Sequence, residues 1–150
     1  MSPTLLLFIA VSLACFGTVL GLRDKSLIQT AALPNGAAAT QSTGFDLEST
    51  GGEFLADVEL ELSVPALTST EVADTQTITY TVETSATSNF ASATNIGTLA
   101  AVTGSSGVAA TVKRFRLPST VQRYVRVKAT KTGASNASTS SMTVSLLQLG

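Results

Sequence analysis

Histidine and tryptophan are absent from this 150-residue chain, and cysteine occurs once. A lone cysteine cannot form a disulfide within one chain. Without histidine there is no Ser-His-Asp or Cys-His nucleophile system, and zinc sites built from His and Cys are excluded. The commonest general base near neutral pH is missing as well. These gaps remove most hydrolytic chemistry before any motif is sought. Aromatic residues make up 5% of the chain and charged residues 13%, so a core must be assembled from small aliphatic side chains. What the chain does have is threonine, serine, alanine, valine and glycine. Thr and Val favour half-buried strands, and Ser and Gly favour the turns between them. The length fits one domain.

The first segment stands apart. "TLLLFIAVSLACFGTVLGL", Thr4 to Leu22, runs without a charge and is succeeded at once by Arg23 and Lys25. It approaches the ~20 apolar residues that a membrane-spanning helix needs. Three readings are open. One is a secretory leader with small residues near Val19-Leu20-Gly21, although no basic residue precedes the apolar run. Cleavage as a lipoprotein at Cys15 is a variant of it. Another is an uncleaved anchor, with Arg23 and Lys25 favouring a cytoplasmic location for the rest of the chain. The third is an extra N-terminal segment outside the working protein. Contact with a membrane is expected only if the segment is a true anchor. The chain thus divides into 1–22, an apolar leader, anchor or extra segment; 23–52, an extended arm; and 53–150, a β-sandwich domain.

The arm is punctuated by Pro34-Asn35-Gly36, Gly44 and Gly51-Gly52, with one short strand expected at 26–31 or around Phe45. It is too poor in apolar bulk to pack independently, so it is either floppy or laid along a neighbour. From Phe54 onward the period changes to two. In "DVELELSV", Val58, Leu60, Leu62 and Val64 alternate with Asp57, Glu59, Glu61 and Ser63, which marks a strand with one buried and one wet face. "QTITYTVET" repeats the pattern, with Ile78, Tyr80 and Val82 inward. Phe90 reads as a plug in a loop, and "IGTLAAV" as a weak strand. "VAATVKRFRL", "VQRYVRVKAT" and "SMTVSLLQL" complete six or seven strands separated by turn signals, with no helical period after residue 25. The fold class is therefore all-β: an antiparallel β-sandwich, jelly-roll-like, with an extended N-terminal arm.

Net charge is only -1, yet the signs are segregated. Seven of the nine bases lie between Lys113 and Lys131 with no acid among them, and nine of the ten acids lie between Asp46 and Glu83 with no base. Placing Phe115 and Leu117, then Val125, Val127 and Ala129, inward leaves two outward rows. These are Arg114 and Arg116, and Tyr124, Arg126 and Lys128, with Arg123 beside them. Like charges on neighbouring strands repel, so a counter-charge is required. It can be the chain's own acidic strand, Asp57, Glu59 and Glu61, in the same sheet. It can also be a neighbouring copy, since opposite charged flanks suit docking in an array. Single-stranded nucleic acid needs a basic patch with stacking aromatics, for which only Tyr124 and Phe115 are available on a chain of net negative charge. The candidate interface residues are accordingly Arg114, Arg116, Arg123, Tyr124, Arg126, Lys128, Asp57, Glu59 and Glu61. Glu59 and Glu61 as a glycosidase pair, and Asp57, Glu59 and Asp74 as a calcium site, lack the spacing those chemistries use. No catalytic residue, metal or cofactor is expected. The Asn136-Ala137-Ser138 sequon reads as chance.

Three segments carry a family likeness: "TITYTVETSATSNF", "FRLPSTVQRYVRVKATKTG" and "STSSMTVSLL", with "SLIQTAALPNGAAATQSTGFDLES" upstream. Together they resemble the cement, or decoration, proteins that stud the heads of tailed bacteriophages. The likeness runs from about Ser26 to Leu149 and is one of pattern. It implies a jelly-roll-like sandwich on the capsid surface of the virion. It further implies a homotrimer that binds at junctions of the major capsid protein, without direct nucleic-acid contact and without catalysis. A secreted or membrane-tethered adhesion or pilus-like subunit of the cell envelope is the other class of function that the apolar leader suggests.

Overall fold

The computed structural model describes residues 27–48 and 58–148. They form nine strands: β1 (Ile28–Ala32), β2 (Ala39–Gln41), β3 (Phe45–Asp46), β4 (Val58–Val64), β5 (Thr77–Ser85), β6 (Thr94–Thr103), β7 (Thr111–Arg116), β8 (Tyr124–Lys131) and β9 (Ser141–Gln148). One sheet has the order β1-β9-β4-β7 and the other β2-β8-β5-β6, with β3 also paired to β8. Every ladder is antiparallel. Except for β2–β3 and the β5–β6 hairpin, successive strands alternate between sheets. This interleaving of two Greek keys is the jelly roll.

Strict alternation builds the core. In β4, Val58, Leu60, Leu62 and Val64 are all buried, and the residues between them are half-buried. Met142 and Val144 of β9 extend that layer; Ile78, Tyr80 and Val82 of β5, with Val125, Val127 and Ala129 of β8, face them from the other sheet. Leu146 and Phe115 pack against this core while staying partly exposed. The inward and outward faces read from the sequence are therefore the observed ones.

Residues 27–48 lie along the domain's own sheets. β1 pairs with β9, β2 and β3 pair in succession with β8, and Leu33, Phe45 and Leu47 are buried in the core. The expectation of one short strand here becomes three. β2 and β3 have three and two residues, too few to leave a period in the sequence. The segment lacks the bulk for a core of its own, yet it satisfies its backbone by adding edge strands to existing sheets, which needs main-chain groups rather than large side chains.

β6 is stronger than "IGTLAAV" suggests. It spans ten residues, and its pairing with β5 skips Leu99 and Ile96, each inserted as a bulge. A bulge breaks the period of two and bends the strand, which hides the strand from a search for alternation. Phe90 does plug a loop. It is buried with φ of 53°, and its ring lies so close to Gly44 (φ 107°) that a Cβ there would overlap it. The leader, residues 49–57 with Asp57, and the last two residues lie outside the described residues.

Candidate functional site

The two basic rows sit in different sheets rather than on neighbouring strands: β7 is the edge of the first sheet, and β8 is interior to the second. Each row finds its own acids. Along β7, Arg114 is opposite Glu61 and Arg116 is opposite Glu59, because β4 and β7 pair in that register. The Arg114 guanidinium reaches the Glu61 carboxylate at 2.9 Å, with the Arg side chain 56% exposed. This is the arrangement in which the chain's own acidic strand neutralises the row. Pairs so exposed contribute about 0–1 kcal/mol.

Along β8 the acidic strand β4 plays no part. Glu83 of β5 is opposite Arg126 and accepts from its Nε at 2.8 Å and its second guanidinium nitrogen at 2.7 Å. Lys128 reaches the other oxygen of the same carboxylate at 3.1 Å. Burial pushes the Glu83 carboxyl up, but hydrogen bonds from Arg126 and Lys128 outweigh it, and the net shift is down. The Arg126 guanidinium also stacks on the Phe90 ring, 4.3 Å from its centroid, a cation–π contact that shields the pair from water. Arg126 thus ties together β5, β8 and the loop after β5.

Arg123 forms a two-pronged pair with Asp46, from Nε at 2.8 Å and a terminal nitrogen at 2.9 Å, and lies over the Tyr124 ring. The Arg123 hydrogen bond is the main reason that the Asp46 carboxyl is held at about 2, and the main-chain N–H of Glu48 adds to it. Asp46 is on β3, in register with Tyr124. The ion pair therefore pins the segment 27–48 to the body.

Arg114, Arg123, Arg126 and Lys128 are brought onto acids of their own chain; Glu61 is one of those acids, and Glu59 faces Arg116 in register. The eight candidates among the described residues do not converge on one patch: Glu59, Glu61, Arg114 and Arg116 mark one sheet, and Tyr124, Arg126 and Lys128, with Arg123 just before them, the other. Glu83 and Asp46 are partners that sequence reasoning does not reach. Glu83 is legible as an outward residue of a strand, but no local pattern shows that β5 is next to β8.

A second polar cluster ties loops together at one end of the sandwich. The Glu71 carboxylate accepts from Ser140 Oγ at 2.6 Å, Thr139 Oγ1 at 3.0 Å and the Thr68 main-chain N–H at 2.8 Å. The Ser140 bond, then that of Thr68, holds its carboxyl at about 2. Among the described residues, no group of three or more His, Cys, Asp or Glu side chains is placed to hold a metal ion. Asp74 instead accepts from the main-chain N–H of Ser106. Compared with known protein families and with curated proteins, the chain finds no match.

Proposed function

We propose that this chain is a structural capsid cement protein, which binds at junctions of the major capsid protein on the virion surface as a homotrimer and clamps the shell. The observation that carries this reading is the place of the family-like segments in the fold. "FRLPSTVQRYVRVKATKTG" supplies the end of β7, the connection after it and all of β8. "TITYTVETSATSNF" supplies β5 and its Phe90 plug, and "STSSMTVSLL" most of β9. The likeness thus falls on strands of both sheets and on the stacked Arg126–Phe90 pair. A sandwich with two interleaved sheets and Arg114, Arg123, Arg126 and Lys128 paired with acids of the same chain suits a load-bearing role. Catalysis, cofactor binding and direct contact with nucleic acid are not part of the proposal.

The test is copurification. The chain should stay with intact phage heads in a fixed ratio to the shell protein, and heads stripped of it should rupture at lower temperature. Heads that lack the chain altogether would sink the reading. The apolar run Thr4 to Leu22 favours a second reading, a secreted or membrane-tethered adhesion subunit of the cell envelope. Mass spectrometry of the mature N-terminus separates the two. A start near Leu22 on envelope material supports the adhesion subunit, and the chain's presence in virions supports cement.

A further inference from the structure

Lys131, the last residue of β8, is 2% exposed and, among the described residues, forms no ion pair. Its Nζ lies 2.8 Å from Gln76 Oε1 and 3.3 Å from the main-chain oxygens of Thr132 and Gly133. The nearby acid, Glu71, aims its carboxylate at Ser140 and Thr139 instead. A buried lysine without a carboxylate partner is unusual.

The carboxamide opposite it is held in place from several directions. Ser135 Oγ contacts Gln76 Oε1 and also the Glu71 main-chain oxygen, 2.8 Å away, and the Gln76 main chain is bonded to Ala73 and Gly104. On the remaining side lies Gly133, where a Cβ would overlap the Gln76 carboxamide carbon. With φ of 77°, Gly133 both permits the turn and leaves room for that carbon. An amine, an amide carbon and a hydroxyl on the carbonyl oxygen are therefore confined together at one end of the sandwich.

We propose that Lys131 and Gln76 condense into an intramolecular isopeptide bond. The amine first gives its extra proton to solvent. Its nitrogen lone pair then forms a bond to the Gln76 carboxamide carbon, and the carbonyl electrons move onto the oxygen that Ser135 Oγ contacts. The tetrahedral centre collapses, the bond from that carbon to Nε2 breaks, and a proton passes from Nζ to the departing nitrogen. The products are a secondary amide and one ammonia molecule. No oxidant or reductant enters. Desolvation lowers the Lys131 pKa, which favours the uncharged amine that the first step needs. Ser135 Oγ, turning its one proton from the Glu71 main-chain oxygen to Gln76 Oε1, supplies the donor at the place where negative charge develops. The bond would tie the start of β5 to the end of β8, strands that are already in register at Ile78 and Lys131. This inference does not rest on the cement reading.

Intact-mass measurement of the purified full chain, after prolonged incubation in mildly alkaline buffer, is the test. The expected result is a mass lower than the sequence requires by one ammonia, with a branched tryptic peptide joining the Gln76 and Lys131 segments. Lys131→Arg, which keeps a cation among the same oxygens, should restore the unmodified mass and melt several degrees lower. An unmodified mass in the parent chain, with trypsin cutting after Lys131, overturns the proposal. So does an ammonia loss that maps only to a succinimide at an asparagine, of which Asn35-Gly36 is the most prone.

Discussion

Replacing Glu83 by alanine leaves Arg126 and Lys128 half-buried with no counter-charge. Removing one member of a shielded pair costs more than the pair contributes, because the remaining charge stays desolvated. The expected loss is about 2–3 kcal/mol in denaturant unfolding. Arg114→Ala, at an exposed pair, should cost less than about 1 kcal/mol. Equal losses would show that burial does not separate the two. Tyr80 presents the opposite case. It is fully buried, and its hydroxyl has no hydrogen-bond partner among the described residues. Desolvation raises its pKa, so the hydroxyl stays protonated. An unpartnered buried hydroxyl is a net cost, so Tyr80→Phe should be neutral or stabilising, by up to about 1 kcal/mol. A drop in melting temperature would mean that the hydroxyl has a partner.

At the scale of elements, the segment 27–48 behaves as part of the core. Leu33, immediately after β1, is fully buried. Leu33→Ala should therefore cost about 2–5 kcal/mol, as a large-to-small change in a packed interior does. A floppy arm would tolerate it with no measurable change, which makes the variant decisive. The long strands are readable because one wet and one dry face impose a period of two: Val58 to Val64 and Ile78 to Val82 fall on their observed faces. β2 is not readable, and β3 is readable only as the alternative place, around Phe45, for a single short strand, since the order of both comes from pairing with β8. β6 is half-legible because the bulges at Ile96 and Leu99 disturb its alternation. Of the candidate interface, the outward direction of the basic rows is legible, and so is the partnership of Arg114 with the acidic strand, one of the counter-charges considered. That Arg126 and Lys128 share Glu83 is not, because the partner is 43 residues from Arg126 in sequence.

For the molecule as a whole, acid is the expected weakness. Asp46 and Glu71 are lowered from 3.8 and 4.5 to about 2, and Glu83 is lowered as well. Their folded pKa values lie below the unfolded ones, so on acidification the unfolded chain takes up protons first. The stability that they contribute is present above about pH 4.5 and is lost as pH falls toward 2. The urea midpoint should fall over that window, and Glu71→Gln should flatten the fall. An acid limb unchanged in Glu71→Gln would remove that carboxylate from the account. The pairing of β1 with β9 sets another property. Ile28 at the start of the first strand is opposite Ser145 near the end of the last. Tension applied between Ile28 and the end of β9 would thus peel the seam open one bond after another instead of shearing it all at once.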